Sequence, residues 1–288
     1  MAACGVDRVR PPSAAANIFT IGRRELRDAV RSRWFILYTL AFTGLGLSVS
    51  YISAASTGGS GLSGFGRTTA GLINLVLLVV PLMALTAGAG SIASDRERGM
   101  LSYLLAQPVT RVEVLIGKYL GLAGSLFACI TLGLGLCALI VAWKGEATRP
   151  QSLLWLTGLT FVLALGMLSV GMLLSSVARR ASGAIGTAIF LWLVFVFATD
   201  LVLMAGTLAF KLRIQELFAL SLVNPLQVFK MWSLHSAEAS LDVLGPAGLY
   251  ASEEYGPMLH VIFAGCLLAW VVLPLVVAGA VFSRRSPV

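Results

Sequence analysis

The residues able to do chemistry are few in this chain and widely spaced. Its two histidines each follow a methionine: Met231 precedes His235 by four positions, and Met258 precedes His260 by two. Four positions apart on a helix, Met231 and His235 share one face. Thioether and imidazole together suit a soft ion such as Cu(I). The same residues, with Trp232 beside them, also compose an ordinary helix at a membrane boundary. Met231 and His235 are therefore candidate ligands only, and no resident metal or other cofactor is expected. Four cysteines, Cys4, Cys129, Cys137 and Cys266, form neither CxxC nor a zinc spacing, and the last three lie in apolar runs where a thiol acts as a small hydrophobe. HExxH and GxSxG are absent, so zinc or serine hydrolysis lacks its parts. Gly117-Lys118 is followed by Tyr119 and no GxxxxGK[ST] exists, so the chain has no cradle for nucleotide phosphates. No catalytic residue emerges, and the chain is not expected to be an enzyme.

What must position these residues is a membrane bundle. Hydrophobic residues make up 58% of the 288 positions and charged residues 12%, with a mean hydropathy of +0.89. Soluble domains carry about 25% charge, so a soluble enzyme is excluded. A span needs about 20 apolar residues. Charge-free stretches place six helices at about 34–55, 70–93, 114–142, 153–178, 183–209 and 260–282. The fold expected is all-α: six transmembrane helices over 34–283, an N-terminal amphipathic interfacial helix at 18–33, and short external helices between spans five and six. Residues 1–17 read as a disordered cytoplasmic tail, 57–66 as a Gly-rich surface loop and 211–259 as a long external segment. No internal repeat supports an inverted-repeat transporter.

Lys and Arg fix the orientation. Fifteen fall on the side of the N-terminal segment and six on the other, so both termini are expected in the cytoplasm and the chain in a bacterial inner membrane. The net charge of +8 thus reports membrane topology, not a nucleic-acid partner. Asp200 is the only acidic residue inside a span. It lies some 17 residues past the start of span five, about 25 Å in at 1.5 Å per residue, near the outer boundary. It is a candidate for the transport pathway or for an interfacial role.

Two cytoplasmic segments carry most information. In IFTIGRRELRDAVRSR (18–33), Ile18, Phe19, Gly22, Leu26, Ala29 and Val30 share one side of a helix and Arg24, Arg27, Asp28 and Arg31 the other. Such a helix, with Glu25 among its polar residues, suits the lipid interface. In SDRERGMLSYLLAQPVTRVEVLIGK (94–118), charges lead to Gly99 and a short apolar helix at 100–106, ended by Pro108. Thr110 and Glu113 have capping-box spacing for the next helix. Met100, Leu101, Leu104 and Leu105 have no partner within the loop: they lie on the bilayer or fill a groove in another protein. GKYLG (117–121) has the GxxxG spacing of close helix packing.

RERGMLSYLLAQPVTRVEVLIGK (96–118) resembles the coupling segment of permeases of the ABC type-2 exporter family, and ELRD (25–28) resembles that family's connecting helix. LSYLLAQPVTR and VNPLQVFKMW (223–232) most resemble the Nos-type subgroup, which works with an ATPase and a periplasmic protein in maturing the copper centres of nitrous oxide reductase. The resemblance implies a homodimer, two copies of a separate ABC ATPase subunit, and a periplasmic accessory protein, with the permease in contact with membrane lipid. It also implies that residues 95–107 meet the ATPase: Asp95, Glu97, Arg98 and Gly99 orient the short helix, and Met100, Tyr103 and Leu104 seat it. A generic exporter for drug, lipid or peptide and a non-transporting scaffold are the alternatives.

Overall fold

A computed structural model describes residues 13–56, 61–107, 109–143, 150–198, 201–202, 213–236, 256 and 258–284. The described residues are helical, with no strand among them. The order is α1 (Ala14–Arg31), α2 (Arg33–Ser56), α3 (Gly61–Glu97), α4 (Met100–Leu105), α5 (Arg111–Trp143), α6 (Pro150–Val177) and α7 (Ala181–Leu193). A π-helical turn (Val194–Ala198) continues α7, and α8 (Ile214–Val223), α9 (Pro225–Ser236) and α10 (Met258–Arg284) follow. Helix α1 begins at Ala14, where the Ser13 hydroxyl accepts from the Ala16 amide, four residues before the expected start. Helix α3 likewise begins at Gly61, inside the expected loop.

Among the described residues five helices are long and apolar enough to cross a bilayer: Arg33–Ile52, Thr69–Glu97, Arg111–Leu139, Leu153–Val177 and Met258–Arg284. Between Val177 and Met258, α7 with its π turn is a shorter apolar helix, Ala181–Phe197, and α8 and α9 form one apolar pair bent by 112°. Of the remainder of the expected fifth span only 201–202 are described, and Asp200 lies outside the described residues. The helices expected between spans five and six are present. Their elbow is made by Asn224 and Pro225: Asn224 Oδ1 accepts from the Leu226 amide, while Pro225 takes the first helical position, where a missing N–H costs nothing. Helix α9 buries Leu226, Val228, Phe229, Trp232 and Leu234 and packs against α6 and α10.

The core lies between α3, α5 and α6, where about half of the side chains are buried, against 17% in α2 and 22% in α10. Glycine sets the closest crossing. A Cβ at Gly88 of α3 would stand 2.7 Å from the Leu168 carbonyl oxygen, and one at Gly171 of α6 would stand 2.5 Å from that of Leu85. Small residues allow backbones to approach this far, and dispersion across the contact then holds the pair without help from the hydrophobic effect.

Candidate coupling site

The charged end of α3 fastens three neighbours with three consecutive residues. Asp95 Oδ2 lies 2.8 Å from Nζ of Lys118, two turns into α5. The Arg96 guanidinium donates to the Ala178 carbonyl, just past α6. Glu97 Oε2 accepts from the Ala181 amide at the first residue of α7, where a carboxylate also favours the helix dipole. Arg98 is exposed. Gly99 then reverses the chain at φ +71, donating its amide to the Arg96 carbonyl. Only glycine takes this left-handed conformation without strain. Gly99→Ala is expected to lower stability by about 1–2 kcal/mol, although a Cβ there meets nothing within 4 Å. Gly99→Asn is expected to cost less, since Asn tolerates this region; melting temperatures of the two purified variants check the order.

Helix α4 follows this reversal and is anchored through Leu101. Leu101 is 1% exposed and sits in the core, Leu104 is half-buried and Tyr103 is 67% exposed. Met100 Sδ accepts from Arg24 Nη2 of α1 at 3.6 Å. The residue that anchors α4 is thus Leu101, while the expected seat at Met100, Tyr103 and Leu104 stays on the outer side. Side chains of Leu105 and Pro108 lie outside the described set. Next, Thr110 caps α5 as its spacing predicts: the Glu113 amide donates to Thr110 Oγ1, and Glu113 Oε2 accepts from the Thr110 amide. Asn17 of α1 donates to the same carboxylate at 3.0 Å. Arg111 donates to the carbonyls of Phe282 and Ser283 at the end of α10.

Helix α1 does not rest on the bundle by its apolar residues alone. Its inward stripe is Ile18, Ile21, Gly22, Glu25 and Leu26, and it lies along Gly117, Gly121 and Gly124 of α5. A Cβ at Gly121 would meet the Gly22 carbonyl oxygen at 2.5 Å and Glu25 Cβ at 2.6 Å. The GxxxG pair is therefore the seat of α1. Phe19 and Val30, grouped with the apolar side by the helical wheel, are 72% and 46% exposed. The stripe is rotated because Glu25 has a buried partner. Its Oε2 stands 2.8 Å from Lys118 Nζ, opposite Asp95. Lys118 is 4% exposed at its side chain and also reaches the Ser91 carbonyl at 3.4 Å, so all three ammonium protons have acceptors. Arg24 makes a 3.7 Å pair with Asp28, and Arg24, Arg27 and Arg31 are exposed.

The structure thus brings Glu25 and Asp95 together on Lys118, ties Glu97 to α7, and places Gly99 and Met100 at the start of α4. Sequence reasoning gave no role to Lys118 or Arg96, and it set Leu101 on the bilayer or in a groove of another protein, whereas it is buried in this chain's own core. A lone lysine inside an otherwise apolar helix was the available signal, since such a charge requires a partner. Met231 and His235 do share a face of α9, but their donors turn elsewhere. Met231 Sδ accepts from Ser221 Oγ at 3.6 Å. The His235 ring lies 5.0 Å from that of His260, whose Nδ1 accepts from Trp232 Nε1 at 3.0 Å. Among the described residues no group of three or more His, Cys, Asp or Glu side chains converges as a metal site would require. Cys129 and Cys137 are buried free thiols in α5.

Residues 19–286 match the model of the ABC-2 family transporter protein. The chain is 31% identical over 274 residues to a probable ABC transporter permease protein NosY from Stutzerimonas stutzeri, covering 93% of this chain and 98% of that one. It is 30% identical over 275 residues to a protein of the same name from Pseudomonas aeruginosa, with the same coverage. With its apolar helices, several of them long enough to span, this chain belongs to the ABC-2 transporter family as a multi-pass permease subunit of an ABC transporter.

Proposed function

We propose that this permease receives the stroke of a separate cytoplasmic ATPase on α4 and passes it to the spans through the Glu25–Asp95–Lys118 triad. The observation that carries the reading is the mounting of α4. Leu101 pins one side in the core, Tyr103 is exposed on the other, and the segment before it bonds to α5, α7 and the end of α6. A load applied to α4 therefore reaches three neighbouring elements through the end of α3. Both termini are cytoplasmic in this reading, the membrane is the bacterial inner one, and two copies of the chain pair with two ATPase subunits. The name shared by its relatives, and the likeness of LSYLLAQPVTR and VNPLQVFKMW to Nos-type permeases, support a role in maturing the copper centres of nitrous oxide reductase with a periplasmic partner.

The test is co-expression with a candidate ABC ATPase subunit from the same organism. Tyr103→Ala combined with Leu104→Ala is expected to abolish co-purification of the ATPase while leaving the permease monodisperse. Retention of the ATPase, or labelling of Tyr103→Cys from the periplasmic side by an impermeant maleimide, would refute the coupling role. Deleting the permease and measuring copper in nitrous oxide reductase separates the maturation role from a generic exporter: a fully loaded reductase favours the exporter.

A further inference from the structure

A second feature lies near the middle of α3, about 20 residues from Glu97 and so roughly 30 Å away at 1.5 Å per residue. There α3, the π turn and α9 enclose a cavity of about 150 Å³. Its polar lining is Asn74, Gln227 and Lys230; Leu77, Phe195 and Leu226 are among its apolar walls. Lys230 is half-buried, and among the described residues it forms no ion pair or hydrogen bond and no carboxylate lines the cavity. An ammonium held against apolar walls is costly without a counter-charge.

The local structure aims positive potential into this space. Gln227 and Lys230 are three residues apart on α9 and so share a face. Gln227 belongs to the first turn of α9, whose N-terminal end carries partial positive charge. The position of α9 is set by Asn224, which donates to the Phe195 carbonyl of the π turn at 2.6 Å. Trp192 Nε1 donates to the carbonyl of Leu78, another lining residue, and fixes the opposite wall. Asn, Pro, Gln and Lys of NPLQVFK (224–230) thus build one cationic recess.

We propose that this cavity binds a single anionic head group, a phosphate or carboxylate, borne on an apolar chain. Lys230 supplies the charge, Asn74 supplies an amide hydrogen bond, and the apolar walls take the adjoining methylenes. The space is well below the roughly 300–1,000 Å³ of sites for drug-sized ligands, so it takes the head of such a molecule. Leu78, 45% exposed, offers the apolar chain an exit along the bundle. The site is independent of the ATPase-coupling reading, since binding is measured on the permease alone.

The ligand has two sources, a phospholipid of the outer leaflet or a free amphiphile, and two arms distinguish them. In the first, the permease is purified into nanodiscs of phosphatidylcholine with or without phosphatidylglycerol, and tightly retained lipids are counted by native mass spectrometry. In the second, hexyl phosphate is titrated into the permease in phosphatidylcholine nanodiscs, with tryptophan fluorescence as the signal. Lys230→Met is expected to weaken binding about tenfold or more in whichever arm is positive. Lys230→Arg is expected to retain it, and Asn74→Leu to weaken it less. A melting temperature near wild type certifies that Lys230→Met is folded; should it not be, the pairing of Lys230→Arg with Asn74→Leu decides in its place. Lipid retention lost on substitution assigns a phospholipid, and saturable hexyl phosphate binding lost on substitution assigns a free amphiphile. Absence of both, or binding indifferent to these substitutions, overturns the site and leaves Lys230 as a side chain that snorkels to water.

Discussion

Lys118→Met is expected to be among the most damaging single substitutions around the base of α4. It removes the only cation between Glu25 and Asp95, both 2.8 Å from Nζ and both about 80% buried at their side chains. Breaking a buried ion pair by deleting one partner costs about 3–5 kcal/mol, because the remaining charge is left without compensation. Here two carboxylates of like charge remain, and α1 and α3 are pushed apart. The expected result is a melting temperature lower by several degrees and an ATPase that still binds α4 but no longer drives transport. The triad carries one negative charge in excess, so Glu25→Gln or Asp95→Asn leaves a complete Lys–carboxylate pair and is expected to cost less than Lys118→Met. Neutralising all three together is expected to recover much of the loss, since a neutral cluster leaves no buried charge. Equal damage from all three single variants would show that the residues act separately.

Gly121→Leu is the second large effect. The space that a side chain needs at this position is filled by the Gly22 carbonyl and Glu25 Cβ of α1. Overpacking a core costs about 1–3 kcal/mol when side chains can adjust. Backbone cannot step aside in that way, so α1 is expected to lift off α5 as a unit and to draw Glu25 away from Lys118. A cysteine at Ile21, which abuts Gly117 in the native protein, should become reactive to a soluble thiol reagent in the Gly121→Leu background. Gly135→Leu on the same helix is the control. Nothing lies within 4 Å of a Cβ there, and its stability and labelling should match the wild type. Labelling unaffected by Gly121→Leu would mean that α1 is not seated by the glycine face.

Features governed by local chemistry were legible from residues alone. The spans follow from gaps between charges, because an unpaired charge is excluded from hydrocarbon whatever the tertiary fold. Gly99 ends α3, and Thr110 with Glu113 caps α5, because these signals act over three or four residues. GKYLG packed as its spacing requires, yet the spacing could not name α1 as the partner. The pairing of Lys118 with Glu25 joins residues 93 apart in the chain. A helical wheel placed the hydrophobic face of α1 by side-chain polarity, and polarity points the wrong way for a carboxylate with a buried cation to meet. Leu101 and Tyr103 illustrate the same limit on α4. Both are apolar in a six-residue helix, and only the position of α3 decides which is buried. The π turn and the 112° bend between α8 and α9 depend on packing that sequence periodicity does not encode.

The docking of α1 on the glycine face of α5 also sets an order of events at the ribosome. Gly22 is made about a hundred residues before Gly121, and translation adds roughly 5–20 residues per second. For several seconds α1 exists while its seat does not, with Glu25 lacking its lysine and the exposed arginines Arg24, Arg27 and Arg31 already beside the emerging first span. During that interval the lipid surface is the available support for the helix. The latch can close only once α5, which carries Gly117, Lys118 and Gly121, has been made.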